Sequence, residues 1–86
     1  MEKEEKILQE VQEVITSVCF GLVSASSKSE FELLLRDIRV SKDRLKSIKK
    51  TINKALKPQF LELWNTIDDL TSKIQEKIDL IVNSDL

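Results

Sequence analysis

The sequence predicts an all-α fold, an antiparallel three-helix bundle with coiled-coil-like packing, on three observations. Apolar residues recur at steps of three and four along three separate segments, the spacing that places them on one side of a helix. Two breaks part those segments, a serine-rich stretch at 24–29 and Pro58. With one Gly and one Pro in 86 residues, little else interrupts helical backbone. A chain this short forms a single domain, 1–86, far below the size at which chains divide. Its 41% hydrophobic and 34% charged residues supply a core and exceed the apolar content of a disordered tail. Small domains bury only ~60% of the surface their unfolded chains expose, which raises the expectation of self-association.

The first helix is expected over 3–23, where Ile7, Leu8, Val11, Val14, Ile15, Val18, Cys19 and Leu22 form the stripe. They fill an arc of about 140° at 100° per residue. In Ser24-Ala25-Ser26-Ser27-Lys28-Ser29, short hydroxyl side chains compete with helical backbone bonds, and Ser29-Glu30-Phe31-Glu32 has the Ser-x-x-Glu form of a capping box. A second helix is therefore expected over 29–56, with the stripe Phe31, Leu34, Ile38, Leu45, Ile48, Ile52 and Ala55 and with Ser41 in its one vacant slot. Pro58 lacks a backbone donor and disfavours α geometry at Lys57, so a boundary is expected there and a third helix over 58–83. Its stripe is Phe60, Leu63, Trp64, Ile67, Leu70, Ile74, Ile78 and Ile81, fading at Asn83-Ser84-Asp85-Leu86. At 1.5 Å per residue the helices would be roughly 30, 40 and 40 Å long, well matched for side-by-side packing.

One alternative survives the pattern. The series Ile52, Leu56, Phe60, Leu63, Ile67 passes Pro58 without losing phase, which also fits a helical hairpin whose long second helix, kinked at Pro58, dimerises. The bundle is the leading expectation, with Ile38, Leu45, Ile52, Trp64, Ile67 and Ile74 at its shared core.

The net charge of −1 hides an uneven distribution: −2 over 1–29, +5 over 30–57 and −4 over 58–86. On a helical wheel Arg36, Arg39, Lys42, Lys46, Lys49, Lys50, Lys54 and Lys57 occupy one arc of about 140° beside the apolar stripe. Such a face either flanks the core and pairs with Glu10, Glu13, Asp68, Asp69, Glu76 or Asp79 on neighbouring helices, which is the leading expectation, or attracts phosphate, anionic lipid or an acidic partner. Nucleic acid ranks lower as a partner, because the domain is not basic overall and no aromatic residue is interleaved for base stacking.

Residues 14–27 carry no formal charge, yet the stretch falls short of the ~20 residues that span a bilayer. Within it Phe20 projects about 170° from the centre of its helix's stripe, beside Glu13 and Thr16, where it is either buried locally as the chain turns into the serine loop or a docking residue for a second chain. Leu33 and Val40 share the far side of the second helix, and Leu61 and Leu80 lie off the stripe of the third. Singly such residues need no explanation; together they point to a partner surface. Cys19 borders the core stripe, where a thiol packs as a small apolar group. Gly21 either admits a close helix neighbour or weakens its own helix end. Trp64 reads as a packing residue, and adjacent Asp68 and Asp69 point about 100° apart, as a solvated face rather than a shared metal or proton site.

With no His, the triad relays, imidazole bases and most zinc sites are out of reach. One Cys allows no intrachain disulfide, and the mixed, net acidic Met1-Glu2-Lys3-Glu4-Glu5-Lys6 lacks the basic opening of an export signal, so a reducing cytoplasmic setting is expected. One glycine makes no phosphate loop or EF-hand. No catalytic residue, cofactor or metal site is expected. The function this predicts is a non-enzymatic protein–protein interaction module, an adaptor, assembly factor or inhibitor that self-associates, with partner contacts at Phe20, Leu33, Val40, Arg39, Lys42, Lys46 and Lys50. The alternative is a peripheral binder of anionic surfaces, lipid or polyanion, through the basic face of the second helix. A small enzyme comes third and would need a cofactor or a site shared between chains.

Overall fold

The computed structural model describes residues 2–84 and forms three helices, α1 (Glu2–Ser24), α2 (Lys28–Ile48) and α3 (Lys57–Ser84). Met1, Asp85 and Leu86 lie outside the described residues, as does the far end of the expected fading of the third helix. The molecule measures 49 × 18 × 16 Å, so helices of about 34, 31 and 42 Å must all run along its length. Connections at 25–27 and 49–56 can only reach back to a neighbour, which makes the bundle antiparallel, with all three helices in mutual contact. The leading fold expectation holds, and the kinked hairpin is overturned.

The stripes supply one continuous core. Leu8, Ile38, Leu45, Ile67 and Ile74 are fully buried, joined by Ile7, Val11, Ile15, Val18, Phe31, Leu35, Ile48, Phe60, Leu63, Leu70 and Ile78. Each large apolar side chain removed from water contributes about 1.5–3 kcal/mol, and together they offset the chain entropy lost on folding. Ser41, the vacant slot, is buried among them. Two residues expected at the centre, Ile52 and Trp64, instead sit half-buried at its rim, and Leu35 rather than Leu34 is the buried member of that pair.

The main correction concerns the second helix, which stops at Ile48 rather than 56. Residues 49–56 turn through bonds of i→i+3 type, from Thr51 N to the Ile48 carbonyl (3.2 Å) and from Leu56 N to the Asn53 carbonyl (3.0 Å), while the Asn53 side-chain oxygen accepts from Ala55 N at 3.1 Å. Asn competes with helical backbone through such turns, and turning lets Ile52 and Leu56 fold over the end of the core. α3 starts at Lys57, so Pro58 is its second residue, where no intrahelical donor is required.

The cap of α2 is also displaced. Ser27, extended at φ −109° and ψ 156°, is the N-cap: its hydroxyl accepts from Glu30 N (3.3 Å) and donates to Glu30 Oε1 (2.9 Å). The box is thus Ser27-Lys28-Ser29-Glu30, two residues ahead of the expected Ser29–Glu32 pairing. Gly21 serves the close approach: a Cβ there would stand 2.7 Å from Leu34 Cδ2, so α2 packs directly on its backbone.

Candidate functional site

Two surfaces remain after the core is assembled, and they lie at opposite ends of the rod. The first is on α1. Glu10 forms an ion pair with Arg44, and Gly21 meets Leu34, which fixes the α2-facing side of the helix. Centred about 140° away run Gln12, Thr16, Cys19, Phe20 and Val23, an arc about 100° wide. None carries a charge. Phe20 is 72% exposed and Val23 88%, and with Thr16 and Cys19 they line a shallow apolar groove. Cys19 is exposed here rather than packed along the stripe, at whose outer edge it lies on the wheel. Val23 is an exposed member of this face that sequence reasoning missed; its signal was its position on the arc of Phe20.

Leu33 (59% exposed) and Val40 (53%) do face outward from α2, as expected. Leu33 borders a separate groove with Gly21, Ser24 and Leu34. It therefore lies at the same end of the bundle as Phe20 but across the α1–α2 seam, and Val40 is further along α2. Leu80 is exposed on the flank of α3 nearer α1, at the Phe20 end, and Val82 is exposed as well. The α1 helix, over Lys3–Ser24, is by length and composition long and apolar enough to cross a membrane, but here its stripe is consumed by the core.

The second surface is the α2–α3 seam where it approaches the 49–56 turn. Lys42 Nζ donates to Asp68 Oδ1 at 2.9 Å, one of the pairings expected for the basic face; Glu10 finds its base in Arg44, outside that arc. Lys42 and Lys49 both lie over the Trp64 ring, at 5.1 and 5.4 Å from its centroid, and Trp64 stacks on Phe60 at 5.8 Å. Cation–π contacts of this kind hold the ring at the rim. Arg39, Lys46, Lys49, Lys50, Lys54 and Lys57 are exposed and, among the described residues, make no ion pair. Because α2 ends at Ile48, Lys49, Lys50 and Lys54 belong to the turn and Lys57 to α3. The expected single basic helix face is instead a basic corner.

No group of acidic or cysteine side chains suited to a metal occurs among the described residues, and Asp68 is engaged with Lys42. The chain matches no protein-family model, no curated protein and no solved structure. Its function must be argued from these two surfaces.

Proposed function

We propose that this protein is a non-enzymatic helical interaction module that self-associates through the outer face of α1, acting in a reducing cytoplasmic setting. The observation that carries this is the pairing of Phe20 and Val23, the most exposed large apolar side chains among the described residues, on an arc whose only charge between Gln12 and Val23 is Glu13 at its edge. Leaving such a residue wet forgoes roughly 1.5–3 kcal/mol of burial for a Phe or Val. Gln12, Thr16, Cys19 and Val23 follow one another at steps of four, three and four, the seam spacing of helices that pack side by side. A second copy suits the seam, since uncharged faces meet across a two-fold axis without opposing like charges. Cys19 lies on the same arc, and a reducing compartment keeps its thiol free.

Equilibrium sedimentation and circular dichroism on the wild type and Phe20→Ser test the reading. The expected outcome is a wild-type mass above that of one chain and a lower mass for the variant, with helix content retained. A variant that keeps the wild-type mass, or a wild type that is monomeric throughout, refutes it.

A further inference from the structure

We infer that the α2–α3 corner is a docking surface for an anionic lipid bilayer, independent of the α1 face. Between Asp43 and Glu62 the chain carries Arg44, Lys46, Lys49, Lys50, Lys54 and Lys57 and no acidic residue. Arg44 is engaged by Glu10, which leaves five exposed lysines without an ion pair among the described residues. Clusters of this size beside an amphipathic helix are what the negative potential of an anionic leaflet attracts.

The fold accounts for only part of this charge. Lys46 and Lys49 close α2, where a base suits the negative helix end. Lys57 is placed the other way, as the first residue of α3, whose first turn holds no acidic residue, and Lys54 stands three residues ahead of it in the turn. There a base opposes the positive helix end, so local stability would select an acid at these positions. The turn that breaks α2 also gathers the lysines around one end of the rod instead of spreading them along a face.

The shape and chemistry of the corner select a bilayer over other polyanions. The lysines flank the 49–56 turn and line none of the grooves formed by α1, α2 and α3 at 71–83, 12–23 and 21–34, whereas a strand of nucleic acid is held in a basic groove with free aromatic faces. Trp64 offers no such face, being covered by Lys42 and Lys49 and stacked on Phe60. Leu61, about half-exposed, follows Lys57 by one turn on the same flank of α3, an apolar residue beside a base as at a headgroup boundary. Lysine, a compact hydrated charge, suits diffuse attraction to a charged plane; bidentate phosphate recognition uses arginine.

Co-sedimentation of the full chain with vesicles of phosphatidylcholine alone, and with about a third phosphatidylserine, is the test. Binding to the anionic vesicles only, weakening as salt rises, is expected. Replacing Lys50, Lys54 and Lys57 together by Gln should weaken partitioning roughly a hundredfold, with helix content checked by circular dichroism. Phe20→Ser should leave partitioning per chain unchanged in the dilute, monomeric range, which separates this surface from the α1 face. Equal binding to neutral vesicles, no binding at low salt, or full binding by a folded triple variant would overturn the proposal. So would capture by duplex DNA at low salt without any capture by anionic vesicles. Should the triple Gln variant unfold, Lys50→Gln and Lys54→Gln singly, both outside the helices, carry the same test, with about a fivefold loss each.

Discussion

The two ends of this bundle rest on the same core and yet present opposite chemistry. At the end where α1 meets α2, fourteen residues from Val14 to Ser27 hold no charge, the connection is a capped three-residue turn, and Phe20 and Val23 stand in solvent. At the end where α2 meets α3, the connection is an eight-residue turn rich in lysine, and its apolar residues Ile52 and Leu56 are folded inward. Burial therefore explains the apolar residues of the second end but not those of the first. It explains the charges of neither: among residues 12–23 the α1 face holds polar Gln12 and Thr16 but leaves Phe20 and Val23 in solvent, and of the corner's lysines only Lys42 finds an acid, Asp68, among the described residues. A three-helix core needs only one stripe per helix, so what decorates the remaining faces is set by something other than the fold.

The largest expected effect tests the shared foundation. Leu45→Ala, at a fully buried position, should destabilise the domain by about 2–5 kcal/mol and impair both ends together. Denaturant unfolding curves measure it, and a loss below about half a kcal/mol would remove α2 from the core. A smaller effect distinguishes the two candidate caps. Ser27→Ala should cost about 1 kcal/mol, and Ser29→Ala much less, because only Ser27 accepts from the backbone of Glu30. The reverse order in thermal melts would restore the sequence-based register. The smallest is at Gly21. Alanine gains up to about 1 kcal/mol of helix propensity but must displace the flexible end of Leu34, so Gly21→Ala should change stability by less than about 1 kcal/mol either way. A larger loss would show that the α1–α2 contact at the uncharged end cannot yield.

The helices and most of the core were legible in the sequence because burial leaves a periodic record. Sixteen buried apolar residues sit at helical spacing, and fifteen of them, all but Leu35, were on the stripes read from that spacing. The end of α2 was not legible for the same reason. Ile52 and Leu56 keep phase with Ile48 and Phe60 whether the chain continues as a helix or folds back, since phase records which residues are buried and not the path between them. The cap was ambiguous on its face, as Ser27-x-x-Glu30 and Ser29-x-x-Glu32 both satisfy the motif; the short reach from Ser24 to α2 selects the first. Phe20 is visible because its wheel position opposes the stripe, whereas Val23, at the helix end where wheel projection loses meaning, stands out only once the face is assembled in three dimensions. The basic residues were evident, but their gathering into a corner depends on the break at Ile48, which periodicity cannot report.

The separation of an apolar association face from a charged corner is tested most directly by the solution mass of the unmodified chain, measured over a range of protein concentrations at low and at high salt. Association through the uncharged α1 face should persist or strengthen at high salt, because screening removes repulsion between the charged surroundings and leaves apolar burial intact. An assembly that forms at low salt and dissolves into single chains at high salt would contradict this, and would place the basic corner, not Phe20 and Val23, at the contact between copies.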